Sequence, residues 1–356
     1  MPNVRLRQPR EPRAYHAYAR VETRTRTALA LVLTCMSAVA AQEPAVFRAS
    51  TDVVLVPVSV TDQNGRFVHG LTSDHFEISE GATRRAVKQF SVDRVPVSLG
   101  ILLDISGSIT EDPKIRADER ARWADMRRAL ALLLTRLVAA DEVFFAVFNE
   151  GVAAASWTQD HSALLREFDA LRPGGGNALL DAVPVIVPTF ELGRYQRKVL
   201  LLITDGNDAN VPTPSVMPSS AIGDIAPPGY EPLTIMGDSR ESVRQRRLST
   251  TKSAVRRSDV TLYAIGIGRR TGEPVDTVLL EGLTTESGGY VEALRDPTEI
   301  PAAVARICDD LQSQYLLAIA PGQPDGKYHS IQVRTTDRRL RVRARAGYVA
   351  LPASTK

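Results

Sequence analysis

Two hydrophobic periods divide this chain. Val54, Val56, Val58 and Val60 alternate with other residues, the period of a strand with one buried face. Phe76–Ser79 and Ala86–Phe90 read as two more strands, and Asp62-Gln63-Asn64-Gly65 supplies a turn whose Asn-Gly pair tolerates positive φ. From Pro96 the pattern changes. Apolar runs at 97–103, 143–148, 198–204 and 260–267 alternate with helical stretches near 120–138, 162–171, 179–190, 241–257 and 299–314. Strands that are apolar on both faces and separated by helices predict an α/β fold, a doubly wound and mostly parallel sheet between helix layers. Residues 315–320, 329–335 and 340–348 return to strand patterning.

These shifts place N-terminal β strands in 41–94, an α/β domain in 95–312 and C-terminal β strands in 313–356. Each β piece is too small to be stable alone, so the two are expected to pair, with the α/β domain inserted in or flanked by the small β domain they form. Between Asn210 and Gly237 lies a loop carrying Pro212, Pro214, Pro218, Pro227, Pro228 and Pro232. A loop of that length is either a functional flap or plain disorder. Leu340, Val342, Ala344 and Ala346 alternate with Arg341, Arg343 and Arg345. That arginine row reads as the solvated outer face of a sheet, with an anion-binding face as the alternative.

The N-terminus changes the picture of charge. Residues 1–26 hold seven arginines, a short apolar core follows at Ala28–Ser37, and Ala38-Val39-Ala40 matches a signal-peptidase site. The apolar run falls well short of the roughly 20 residues that cross a bilayer. Residues 1–40 therefore read as a signal peptide, and the protein as exported: periplasmic, cell-surface or secreted. An uncleaved anchor or lipidation at Cys35 stays open as the sole route to a membrane. The chain has 44 basic and 41 acidic residues; seven and two of these lie in 1–40, leaving 37 against 39. The excess of positive charge belongs to the leader, and nothing points to nucleic acid as a partner. Cys308 is the one cysteine after the leader, so no internal disulfide supports the fold.

The candidate chemistry sits where two apolar strands end. Asp104-Ile105-Ser106-Gly107-Ser108 follows the first run, and Leu202-Ile203-Thr204-Asp205-Gly206 closes the third. In open α/β sheets, ligands bind beyond the carboxyl ends of the strands. Carboxylates and hydroxyls are hard oxygen donors suited to Mg²⁺, Mn²⁺ or Ca²⁺ rather than to a soft metal. The plainer alternative is that Ser and Asp here simply cap the following helix.

Asp104-x-Ser106-x-Ser108, Gly175-Gly176-Asn177-Ala178-Leu179-Leu180-Asp181-Ala182 and Leu202-Ile203-Thr204-Asp205-Gly206 together resemble the three metal-site loops of a von Willebrand factor type A domain. The resemblance covers about residues 95–312, and the flanking segments resemble a bacterial exported subgroup described as related to that family. It implies an octahedral Mg²⁺ or Mn²⁺ site, the metal-ion-dependent adhesion site. Ser106 and Ser108 would coordinate through their hydroxyls, while Asp104 and Asp205 would hold metal-bound waters. Where the family's third loop normally adds a threonine hydroxyl this chain has Asn177, whose amide oxygen can also ligate a hard cation but reaches further and differs in shape, so Asn177 completes the expected ligand set. Family members recognise an acidic side chain of a protein or peptide partner, whose carboxylate completes the coordination of the ion.

Three functions compete. The first is an exported binding module, adhesive or scaffolding, that works through a divalent ion. The second is a metal-independent scaffold of an envelope complex. The third is a metal-dependent hydrolase, which the chain disfavours: it has no G-x-S-x-G, H-E-x-x-H or P-loop motif, and its histidines, His16, His69, His75, His161 and His329, are scattered.

Overall fold

A computed structural model of the chain describes residues 53–107, 113–206, 240–268 and 274–350. The leader with Cys35, Ser108 and the proline-rich loop at 210–237 lie outside the described residues. Four strands come first: β1 (Val54–Thr61), β2 (Phe76–Glu80), β3 (Thr83–Arg85) and β4 (Val87–Ser91). The α/β region then runs through β5 (Ser98–Asp104), α1 (Pro113–Arg136), β6 (Glu142–Phe148), β7 (Val152–Ala154), α2 (His161–Ala170) and α3 (Leu179–Ile186). It continues with β8 (Lys198–Thr204), α4 (Arg240–Arg257), β9 (Val260–Ile267), α5 (Thr277–Thr284), β10 (Val291–Leu294) and α6 (Ile300–Ser313). Last come β11 (Tyr315–Ile319), β12 (Tyr328–Thr335), β13 (Arg341–Ala344) and β14 (Gly347–Val349).

The four apolar runs are β5, β6, β8 and β9, the centre of a six-stranded sheet ordered β10-β9-β8-β5-β6-β7. All its pairings are parallel except that of β7, a short antiparallel edge. Successive side chains of a strand face opposite sides, so β5 sends Leu99, Ile101 and Leu103 into one core and Leu102 into the other. Helices α1, α2 and α6 cover the first face, and α3, α4 and α5 cover the second. Gly100 of β5 is a packing requirement: a Cβ there would lie 2.5 Å from Cζ of Phe190. Sequence patterning missed β7, β10 and α5, all of eight residues or fewer. It also ran the third helix on to 190, where Val187–Leu192 tightens into a 3-10 turn.

The flanking strands form two four-stranded sheets, β13-β1-β11-β4 and β14-β12-β2-β3. Every one of β1, β2 and β4 finds a C-terminal partner: β1 pairs with β11 and β13, β4 with β11, and β2 with β12. Val56, Val58 and Val60 face Phe76, Ile78, Leu317 and Tyr348 in the core between the sheets. Phe76, Phe90 and Tyr315 cluster there, with ring centroids 5.2 to 5.9 Å apart.

The arginine row corrects its sequence reading. Only Arg341 is exposed, because Arg343, inside β13, and Arg345, just after it, are covered by the α/β region. Arg343 Nη2 donates to Asp310 Oδ1 of α6 (2.6 Å) and to Ser59 of β1 (3.1 Å), and its guanidinium stacks 4.7 Å from the Tyr290 ring centroid. Arg345 is 8% exposed and bonds Asp259 and the Ser258 carbonyl, just ahead of β9. Asp310 is fully buried and also accepts from the Tyr263 hydroxyl (2.6 Å), whose oxygen in turn accepts from Gln314 Nε2. Gly288, with φ +86, brings its backbone against Ala344 and Arg345, where a Cβ would lie 2.6 Å from the Arg345 nitrogen. These contacts all gather at the amino ends of the parallel strands, so the sandwich docks on the edge opposite the one where Asp104 and Asp205 sit.

A second ionic cluster ties the β11–β12 loop to the sandwich. His329 places Nδ1 2.6 Å from Glu80 Oε1 and Nε2 2.9 Å from Asp325 Oδ1, so both ring nitrogens face carboxylates, an arrangement that favours the imidazolium form. Asp325 first, then Glu80, raises the His329 pKa above its usual value near 6.5. Burial alone would raise Glu80, yet hydrogen bonds from Arg85, His329 and Tyr348 outweigh it and hold the carboxyl low. His329 bonds hold Asp325 low, with the Lys327 backbone assisting.

Two outcomes follow. Arg343→Ala leaves Asp310 buried without its cation and should lower unfolding free energy by about 3 kcal/mol in urea titrations. An unchanged midpoint would show that the network contributes nothing. His329 gains its stabilisation when charged, so the contribution is complete below about pH 6.5 and is lost as pH rises through the raised pKa. Comparing wild type with His329→Gln between about pH 6 and pH 9, the gap in stability should shrink as pH rises.

Candidate functional site

β5 and β8 are parallel neighbours in register, Leu103 opposite Ile203, so their carboxyl ends deliver Asp104 and Asp205 side by side. Both are nearly sealed from water, at 1% and 2% exposure. Burying two carboxylates together is costly unless donors surround them. Asp104 Oδ1 accepts from the Ser106 backbone N–H (2.8 Å), and its Oδ2 accepts from the Thr204 hydroxyl (2.8 Å). Thr204 accepts in turn from Gly206 N–H (3.0 Å), which fixes the turn after β8. Burial, and then the charge of Asp205, raises the Asp104 carboxyl above the ordinary carboxylate value, against the bonds from Ser106 and Thr204.

The third loop, between α2 and α3, folds back over these strand ends. Gly174 N–H donates to the Ile105 carbonyl (2.9 Å), and Gly107 N–H to the Gly175 carbonyl (3.3 Å). Asn149 clamps the loop from the end of β6, donating from Nδ2 to the Gly174 carbonyl (2.8 Å) and accepting at its own carbonyl from Ala178 N–H (2.9 Å). Glu150 accepts from Gly176 N–H (3.0 Å). Gly175 has φ +86 and lies close against Asn149, a backbone position that favours glycine. The loop thereby seats Asn177, 1% exposed, between the two acids: Nδ2 donates to Asp104 Oδ2 (2.6 Å) and to Asp205 Oδ1 (3.2 Å), while Oδ1 accepts from Leu179 N–H (3.1 Å).

Asp104, Ser106, Asn177 and Asp205 thus meet at one point, and Ser108 lies outside the described residues. Sequence reasoning passed over the part played by Thr204, although a lone hydroxyl ending the apolar run 198–204 was a signal. Asn149 and Glu150 left no comparable trace. Asp181 has a role beyond the start of α3, since Arg247 of α4 pairs with it from Nε to Oδ1 (3.0 Å) with both side chains largely buried. The carboxylates of Asp104 and Asp205 and the hydroxyl of Ser106 are hard oxygen donors, which fits a divalent cation of the Mg²⁺, Mn²⁺ or Ca²⁺ kind. Among the described residues no helix is long and apolar enough to cross a membrane.

Thr204→Val removes a donor to Asp104 and an acceptor for Gly206 together. Denaturant titration should show a loss of about 1–3 kcal/mol, with Thr204→Ser recovering most of it. A loss in Thr204→Ser with none in Thr204→Val would assign the effect to packing of the methyl group instead.

No family model matches the chain, and no curated protein matches it in sequence. Solved structures are similar to it. Proximal thread matrix protein 1 from the mussel byssus, with a zinc-occupied MIDAS motif, is 17% identical over 61% of this chain and 48% of that chain, with a TM-score of 0.42. A von Willebrand factor type A structure from Catenulispora acidiphila is 12% identical over 84% and 73%, with a TM-score of 0.44. The vWF domain of the type V pili tip protein Mfa5 from Porphyromonas gingivalis is 14% identical over 61% and 95%, with a TM-score of 0.43. The chain spans about half the length of the mussel protein. The chemistry of the site rests on its own residues.

Proposed function

We propose that this chain is an exported protein-binding module, adhesive or scaffolding, that recognises a partner through a divalent ion at the carboxyl edge of the six-stranded sheet. The observation that carries this reading is the buried Asp104–Asn177–Asp205 cluster, two acids at neighbouring strand ends bridged by one side-chain amide. Asp104, Ser106, Ser108 and Asp205 would hold Mg²⁺ or Mn²⁺, with Ca²⁺ chemically admissible, and Asn177 stands beside them. The ion, when bound, supplies an electrophilic centre that takes a carboxylate oxygen from an acidic side chain of a protein or peptide. The chain's own residues preset the donors: Thr204 and the Ser106 backbone orient Asp104, and Asn149 with Glu150 holds the third loop in place.

In this reading residues 95–312 are the recognition domain, and 41–94 with 313–356 form the β domain that carries it. Residues 1–40 direct export, and any membrane contact runs through that segment. Nucleic acid has no place in the proposal. A hydrolase is a poor fit: of the described histidines, His329 lies in the sandwich, His161 at the Asp141 carbonyl on the amino edge of the sheet, and His69 and His75 in the segment between β1 and β2.

One observation favours a metal-independent scaffold instead. The Asn177 amide already satisfies both carboxylates without an ion. Thermal unfolding in EDTA and in excess Mg²⁺ or Mn²⁺ separates the two. At a hundred times its dissociation constant, an ion that binds only the folded state adds about 2.7 kcal/mol. The metal reading expects that upward shift in wild type and its loss in Asp104→Ala. Partner capture that survives Asp104→Ala and EDTA alike would decide for the scaffold.

A further inference from the structure

We propose that the Asn177 side-chain amide is a built-in counter-group for the site, bridging Asp104 and Asp205 in the ion-free chain, and that a divalent cation enters only by displacing it. This rests on the metal-binding reading above and adds how the site is regulated. The amide sense is set by its three partners. Nδ2 faces two carboxylate oxygens, at 2.6 and 3.2 Å, and Oδ1 faces the Leu179 N–H at 3.1 Å. Reversing the amide would set its carbonyl oxygen against both acids and its NH₂ against a backbone N–H, replacing three attractive contacts with three repulsive ones. Asn177 therefore cannot offer oxygen to a cation while it holds Leu179.

The loop backbone cannot carry the amide away. Ala178 N–H is held by the Asn149 carbonyl and Gly174 N–H by that of Ile105, each at 2.9 Å. Displacement must come from rotation of the Asn177 side chain itself. That rotation has a structural consequence. Leu179 is the first residue of α3, and its N-cap residue, Ala178, has no side-chain acceptor, so Asn177 Oδ1 is what satisfies the Leu179 N–H. Ion entry and the first turn of α3 are thereby coupled: loading the site frees the Leu179 amide, and holding Leu179 keeps the ion out. A hydroxyl in place of the amide would remove the competitor while leaving a hard oxygen for the ion.

The test uses the full chain and Mg²⁺ alone as probe. Calorimetric titration compares wild type, Asn177→Thr and Asp104→Ala, and hydrogen exchange at Leu179 is measured in EDTA and in saturating Mg²⁺. Asn177→Thr should bind Mg²⁺ about tenfold more tightly than wild type, since the ion no longer breaks hydrogen bonds to charged groups. In wild type, exchange at the Leu179 amide should accelerate when Mg²⁺ is added. Equal Mg²⁺ affinity in wild type and Asn177→Thr, with Leu179 exchange unchanged and Asp104→Ala unable to bind, would overturn the counter-group while leaving the metal site standing. No Mg²⁺ binding by wild type or Asn177→Thr would sink the metal reading and this inference with it. The exchange measurement needs no variant, so the proposal remains testable even if Asn177→Thr fails to fold.

Discussion

Two carboxylates side by side with almost no water is the constraint around which the carboxyl edge of this sheet is organised. Asp104 and Asp205 arrive there because β5 and β8 are parallel and adjacent, and neither can be solvated once the loops close over them. The surrounding groups answer that charge with donors: the Ser106 backbone, the Thr204 hydroxyl and the Asn177 amide all point hydrogen at the acids. The fold-back of the third loop follows from the same need. Its ties to Ile105, Gly107 and Asn149 have no hydrophobic payload of their own, and what they achieve is to deliver Asn177.

The opposite edge solves a similar problem in a different way. There Asp310 is also fully buried, but it meets a full cation, Arg343, together with the hydroxyl of Tyr263. Removing one member of such a pair costs far more than the pair contributes in net stability, because the remaining charge has no water to return to. The Arg343–Asp310 pair therefore fixes geometry more than it adds stability, holding β13 and β1 of the sandwich at a set distance from α6. The contrast between the edges is informative: at one a buried acid is matched by an arginine, and at the other two buried acids share the amide of Asn177.

Much of this was legible in the sequence, for identifiable reasons. The four largely apolar runs announced the parallel sheet because strands covered on both faces show no regular polar alternation. Asp104 and Asp205 were legible as a site because each breaks such a run at its end. The short elements were not: β7, β10 and α5 are too brief for a period to emerge, and their conformation is imposed by neighbours. Arg343 and Arg345 were misread for a related reason. Alternation with Leu340, Val342 and Ala344 says only which side of the strand a residue occupies, and cannot say that a second layer covers that side. The function of Asn177 was half legible. Its position among the loops was visible, but the direction of its amide is set by Leu179, Asp104 and Asp205 together, a three-dimensional fact with no linear trace.

The way the α/β region is attached bears on how it can work. β4 leads into β5, α6 leads directly into β11, and β4 and β11 are hydrogen-bonded neighbours. Everything from Val92 to Gln314 is therefore the loop of one antiparallel pair. Closing so long a loop costs little more than closing a short one, because the entropy grows only with the logarithm of length. Entry and exit through adjacent strands alone would leave the region free to swing, as inter-domain linkers generally do. Arg343, Arg345 and the close approach at Gly288 add a second line of attachment across the amino edge of the sheet. With that edge spent on anchorage, the carboxyl edge, where the acids sit, is the one left for the recognition proposed above. The proposed binding module would use that division, with one edge fixing orientation and a separate one presenting the acids.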